Sequence, residues 1–221
     1  PKQLPPTNFF NSAGDDEDNL APEEFKDLES ILDELMTHGL RHKRLQWHYR
    51  SRHEGLIAFS NRQYYENELF TFPSAETALG GVRFKHLREA RYDKGKSRTN
   101  RVEAGALVNE LVARLRNPDG PQRSYGVVTF SLAQQQLIEN LLDEERRKYP
   151  EIEVHFGDEP PVEGEPVFVK NLENVQGDER DVIFFSICYG ADETGRVAMN
   201  FGPLNRDGGE RRLNVAITRA K

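Results

Sequence analysis

One cysteine in 221 residues, Cys188, excludes an internal disulfide. It sits in an apolar, strand-like run, as a thiol kept reduced in the cytoplasm would. No apolar stretch approaches the roughly 20 residues that span a bilayer, and the opening residues carry no signal-peptide pattern. The chain is therefore expected to be cytoplasmic and to have no membrane partner. Two phosphate-binding patterns are absent as well. There is no G-x-x-x-x-G-K-S/T, so the chain has no phosphate cradle of its own. No G-x-G-x-x-G follows a strand, which disfavours a Rossmann-type dinucleotide binder. An excess of positive charge is missing too, since the formal net charge is −7. Nucleic-acid binding needs only a local basic surface, and two stretches offer one: Arg41-His42-Lys43-Arg44, and the segment from Arg88 to Arg101 with Arg91, Lys94, Lys96 and Arg98. Each reads first as a solvated loop. The acidic run Asp15-Asp16-Glu17-Asp18 would repel phosphate.

What is present describes a globular protein, with 36% hydrophobic and 30% charged residues. The length suits one large domain, or a domain with a subdomain. Pro1-Lys2-Gln3-Leu4-Pro5-Pro6-Thr7 reads as a stiff loop, because its prolines fix φ. A helix is predicted from about Pro22 to His38, with Glu23 and Glu24 at its positive end and Gly39 at its stop. Ser51 and Glu54 form a capping-box pattern, which predicts a second helix to about Tyr65 and puts Arg50 just outside its N-terminus. A cation there is mildly unfavourable and anions are attracted. Arg50 therefore suits either a bound phosphate or a nearby carboxylate.

A short strand is predicted over Val82 to Leu87. From there the pattern turns α/β. Asn100 with Glu103 opens a helix whose face is Leu107, Val108, Leu111, Val112 and Leu115. Gly126 to Phe130 is a short buried strand running directly into Ser131-x-x-Gln134, a third capping box. Strand, polar turn and helix joined so closely form half of a βαβ unit. Ser131 and Gln134 are caps, or they stand at the C-terminal edge of a parallel sheet where ligands bind. Two more strands are predicted at 165–172 and 180–187, the second apolar on both faces like a central parallel strand. Between them lies Asn174-Val175-Gln176-Gly177-Asp178-Glu179, where Gly177 permits a tight turn and Glu179 is placed to accept hydrogen bonds from ribose hydroxyls. Phe130 and Trp47 are either core residues or surfaces for base stacking. Gly202 to Gly209 is read as a loop. The last stretch, Arg211 to Lys221, has Leu213, Ala216, Ile217 and Ala220 on one helical face, with Arg212 and Arg219 two turns apart. Because the chain opens at Pro1 and stops inside that pattern, it reads as a piece of a longer protein.

Taken in order, Pro1 to Thr7, Gln46 to Ser51, Val175 to Glu179 with Asp181, and Asn214 to Lys221 resemble motifs III, IV, V and VI of superfamily 1 helicases, in particular the Upf1-like branch. The resemblance runs nearly end to end. It implies a RecA-like parallel β-sheet flanked by helices, a P-loop NTPase fold in the form of the second motor domain, without the P-loop. Residues 1–40 would be the end of the first motor domain and its crossover, and 41–221 the second domain. The resemblance further implies that Gln3 senses the γ-phosphate and that Arg50 and Arg219 are arginine fingers. Glu179 would bind the ribose, with Gln176 and Gly177 shaping the nucleotide edge. Thr129, Ser131, Gln134 and Asn171 would touch the backbone of a single nucleic-acid strand, DNA ahead of RNA. The implied cofactor is ATP with Mg2+, held mainly by the first motor domain of the same chain; no metal ligand is expected here. By itself the piece should neither hydrolyse ATP nor bind it tightly. The alternative is a non-catalytic α/β interaction module that retains this fold.

Overall fold

The computed structural model describes residues 38–39, 41–73 and 81–221. Gln3 and nearly all of the helix predicted at 22–38 lie outside these residues. The elements, in order, are α1 (Gly55–Tyr64), α2 (Arg101–Leu115), β1 (Tyr125–Thr129), α3 (Leu132–Lys148), β2 (Phe168–Asn171), β3 (Val182–Ser186) and α4 (Gly209–Ile217). Short 3-10 turns lie at Pro150–His155 and Gly202–Asn205.

The three strands form a parallel sheet in the order β2-β1-β3. Central β1 is buried along its whole length, which is why its sequence is apolar on both faces. Alternation of side chains across the sheet sorts the core into two layers. On one face Val127 joins Leu107, Val108 and Leu111 of α2 and Ile138 and Leu142 of α3. On the other, Val128 packs with Leu172, Val175 and Ala216 of α4, flanked by Phe168, Ile183 and Phe185. Leu111 and Ile138 expose no surface, and burying each contributes about 1.5–3 kcal/mol. Gly126 belongs to the second face for a steric reason: a Cβ there would stand 2.4 Å from the Phe168 ring and 2.9 Å from Ile183.

The helix starts test the capping patterns. Asn100 Oδ1 accepts from the Glu103 N–H at 3.2 Å, and Ser131 Oγ accepts from the Gln134 N–H at 3.3 Å, each cap worth about 1 kcal/mol. The Ser51 pattern fails. α1 begins at Gly55, its N-cap Glu54 makes no side-chain cap bond, and the Ser51 hydroxyl instead donates to the Ala220 carbonyl at 3.1 Å. Residues 82–87 are not a strand, since they pair with no neighbour in the sheet. The final helix also stops earlier than its apolar pattern suggests. It ends at Ile217, and the residues after it pair with the lead-in to β3 through a parallel bridge between Arg180 and Ala220. Arg212 and Arg219 therefore do not share a helical face.

Candidate functional site

The site is assembled at the N-terminal edge of β3. After β2 the chain returns over β1 through residues 172–181. Buried Val175 pins this loop, and Gly177 turns it with φ +95°, a conformation that L side chains rarely adopt. The Lys170 ammonium holds Asp178 at 2.6 Å. Arg180 then locks the end of the loop. Its Nε and Nη2 donate to the Pro166 carbonyl at 2.9 and 2.6 Å, and its plane lies 4.8 Å from the Phe168 ring centroid. Its backbone N–H donates to the Arg219 carbonyl at 3.1 Å, and the Lys221 N–H donates to the Arg180 carbonyl at 3.0 Å. Those two backbone bonds set Glu179 beside the residues that follow α4. Ser124 holds the next residue, donating its N–H to Asp181 Oδ2 at 3.0 Å and accepting from the Asp181 N–H at 2.9 Å.

Three predicted residues meet here. Arg50 Nε donates to Glu179 Oε2 at 2.8 Å, and Arg50 Nη1 reaches the Thr218 carbonyl at 3.5 Å. Arg219 Nη2 donates to the Thr218 hydroxyl at 3.1 Å, and its Nε donates to the Val215 carbonyl at 2.7 Å, at the C-terminal end of α4. Both guanidiniums thus reach Thr218. Arg219 is buried, with 8% of its surface exposed. No carboxylate among the described residues lies within ion-pair distance of it. Burial lowers its pKa, the neighbouring Arg50 charge lowers it further, and Glu179 and Asp178 oppose the shift. The guanidinium remains charged, because an arginine keeps its proton throughout the working pH range. Gln176 and Gly177 lie exposed in the loop leading to Glu179.

Two contributors escaped the sequence reading. Lys221 pairs with Glu165 and stands 3.7 Å from Glu179. Glu165 also accepts from Ser124 Oγ. Burial raises the Glu165 pKa, but the bonds from Lys221 and Ser124 more than compensate, leaving it below the usual carboxylate range. The bridge between 180 and 220 brings these groups together, and nothing local in the sequence announces it.

Thr129, Ser131, Gln134 and Asn171 cluster at the opposite, C-terminal edge. Thr129 and Asn171 are register partners at the ends of β1 and β2. Their side chains face inward. The Gln134 amide accepts from the Asn100 N–H at 2.9 Å and donates to the Asn100 carbonyl at 3.1 Å and to Ser186 Oγ at 3.0 Å. Thr129 Oγ1 donates to the Ser131 carbonyl, and Asn171 Oδ1 accepts from the N–H groups of Glu173 and Asn174. Thr129 and Gln134 expose no surface. These internal bonds build the edge from within; contact of the four residues with a nucleic-acid strand belongs to the proposed function. Phe130 is core, edge-on to Phe185, whereas Trp47 is exposed against Phe70 and Phe72.

The donor set at the first edge fits a polyanion. A planar, permanently charged guanidinium without a described carboxylate matches phosphate oxygens. Among the described residues no group of three His, Cys, Asp or Glu is placed to hold a metal ion.

A parallel sheet covered by helices on both faces, with charged loops at its two edges, defines an α/β domain of the RecA-like kind. The chain belongs to the AAA domain family, whose model matches residues 28–221. It is 37% identical over 232 residues to the uncharacterized ATP-dependent helicase MG140 of Mycoplasma genitalium. It is 38% identical over 230 residues to the homologue of that protein in Mycoplasma pneumoniae. All of this chain is covered in both comparisons, but it spans only 19% of each relative's length.

Proposed function

We propose that this chain is the second RecA-like motor domain of an ATP-dependent helicase or translocase that tracks single-stranded nucleic acid, DNA ahead of RNA, and belongs to the Upf1-like branch of superfamily 1. The observation that carries this reading is the convergence of Arg50 and Arg219 on Thr218, with Arg219 buried and without a described carboxylate. A γ-phosphate presented from a first motor domain would supply the negative charge that Arg219 lacks, and Mg2+ would be held on that side. Arg219, fixed by Val215 and Thr218, meets the developing charge without reorganising. Arg50 exchanges part of its contact with Glu179 for the same anion. A guanidinium so placed contributes about 10³–10⁵ in rate. Glu179, half-exposed beside them, accepts from a ribose hydroxyl, and the Gln176-Gly177 turn shapes the space around it. Gln3 belongs to the same proposal as the sensor of the γ-phosphate. Because the arginines sit on one domain and the phosphates on another, nucleotide occupancy ties the domains together, and its loss releases them.

The test is ATP hydrolysis by the full-length protein with and without single-stranded DNA. Arg219→Ala should lower stimulated turnover by about a thousandfold or more. Turnover equal to wild type would refute the finger assignment, and a full-length wild-type protein without ATP turnover would favour the rival reading, a non-catalytic module that keeps the fold. The 221-residue chain alone should show no turnover.

A further inference from the structure

We infer that residues 83–101 form a second, electrostatic track for the phosphate backbone of single-stranded nucleic acid, lying along the flank of α2. The inference rests on the motor reading and adds a contact surface to it. Residues 83–101 contain eight Lys or Arg against Glu89 and Asp93, a net +6 in a chain whose total is −7. The rest of the protein is therefore strongly acidic, and this strap is where a polyanion meets the least repulsion.

The strap has a defined course. Gly81 packs against Leu56 and His53 near the start of α1. Lys85 lies 3.9 Å from Glu110 on α2. Further on, the Tyr92 N–H donates to the Ala191 carbonyl at 2.9 Å, and its ring packs 5.3 Å from that of Tyr189, in the loop after β3. The strap thus connects the neighbourhood of α1 with the C-terminal edge of the sheet. Its turn is held internally. The Asp93 N–H donates to the Thr99 carbonyl, the Arg98 N–H donates to the Asp93 carbonyl, and the Asp93 carboxylate accepts from both Ser97 N–H and Ser97 Oγ. One of the two acids is thereby engaged in shaping the turn. Arg88, Lys94, Lys96 and Arg101 are exposed, and no described carboxylate stands within ion-pair distance of them.

Two further features point to a single strand. Phe84 is 81% exposed and its ring is nearly parallel to that of His86, at 8° and 6.3 Å between centroids. Flat, exposed rings set among Arg83, Lys85 and Arg88 suit unpaired bases, which stack without regard to sequence. Between the strap and the first turns of α3 lies a groove of about 540 Å³, bordered by Arg91, Tyr92, Arg101, Gln136 and Asn140, with Glu89 and Glu193 at its margin.

The test uses the full-length protein and the anisotropy of a fluorescein-labelled single-stranded oligonucleotide across a salt series, with a blunt duplex in parallel. Combining Arg88→Gln, Lys94→Gln and Lys96→Gln should weaken single-strand binding by roughly tenfold or more and lower the magnitude of the salt slope by about 2. ATP turnover without nucleic acid should be unchanged. Phe84→Ala should weaken the single strand by about tenfold without altering its salt slope, and leave the duplex nearly unaffected. Glu89→Gln should tighten binding. If wild type binds the oligonucleotide and the triple variant matches it in affinity and slope, the track is refuted while the motor reading stands. The track is likewise refuted if only duplex binding weakens. If wild type binds no nucleic acid and none stimulates its ATP turnover, the motor reading fails and the track with it.

Discussion

Glu179 and Arg50 are 129 residues apart in the chain and share a hydrogen bond of 2.8 Å. Glu179 is the counter-charge for a pocket that otherwise holds Arg50 and Arg219 side by side. Glu179→Ala should leave two guanidiniums facing each other. Because the pair is part-exposed, at 26% and 42%, the expected loss is about 1 kcal/mol. In thermal unfolding this corresponds to a fall of about 3 °C. The difference from wild type should shrink toward 1 M salt as screening removes both the attraction and the repulsion. A variant with unchanged midpoint would show that the ion pair contributes nothing to the fold.

Gln134 is the internal brace of the opposite edge. Gln134→Ala strands the buried Asn100 N–H, takes one of two donors from the Asn100 carbonyl and opens a cavity, so about 3 kcal/mol should be lost. Gln134→Glu should fare no better. A carboxylate cannot donate to the Asn100 carbonyl, and it would lie close to Glu103, which already accepts from Ser186. Denaturant unfolding of both variants would check this, and a midpoint within error of wild type for Gln134→Glu would contradict the brace.

Gly126 marks a steric limit in the central strand. A single methyl in Gly126→Ala meets the Phe168 ring and Ile183, and a loss of about 2 kcal/mol is expected from overpacking. Shortening the obstacle should relieve it: in a double-mutant cycle, Gly126→Ala with Phe168→Leu should cost less than the sum of the two changes. Strict additivity would mean that the ring is not what excludes a side chain.

His48 gives stability a pH dependence. Its Nε2 accepts from the Ser51 N–H at 3.1 Å, a bond that the protonated ring cannot make. Burial first, and the Arg50 charge second, hold its pKa below the usual 6.5. Burial also lowers that of His155, against an opposing bond with the Leu115 backbone. Between these depressed values and 6.5 the unfolded chain binds more protons than the folded one, so stability falls as pH drops through that window. Urea midpoints should be level above about pH 7 and decline below about pH 6.5. His48→Gln should flatten part of the decline. A wild-type profile without a slope there would rule out the half-buried neutral ring.

The layered α/β plan was legible because local patterns carry it: β1 is apolar throughout, α2 and α3 show their buried faces, and Asn100 and Ser131 cap where they stand. Legibility ended where a distant partner decides. Ser51 carries the pattern of a cap, yet the carbonyl of Ala220, 169 residues away, takes its hydroxyl. The apolar face of the last helix includes Ala220, but the ladder with Arg180 ends the helix before that residue is reached. Arg50, Glu179 and Arg219 were recognisable one at a time; their meeting depends on a bridge that no window of sequence contains. The internal bonds of Gln134 were not legible because its partners, Asn100 and Ser186, lie in other segments.

The bridge between Arg180 and Ala220 has a kinetic consequence. It joins chain segments forty residues apart, and the Arg50 contact closes a far longer loop over it. Both require the three-stranded sheet to be in register first, since Arg180 leads directly into β3. Long-range closures of this sort come late in folding, once the entropy of the intervening chain has been reduced. A refolding protein should therefore protect the amides of β1 from hydrogen exchange before those of Arg180 and Lys221, passing through a state that has its core and lacks its charged rim.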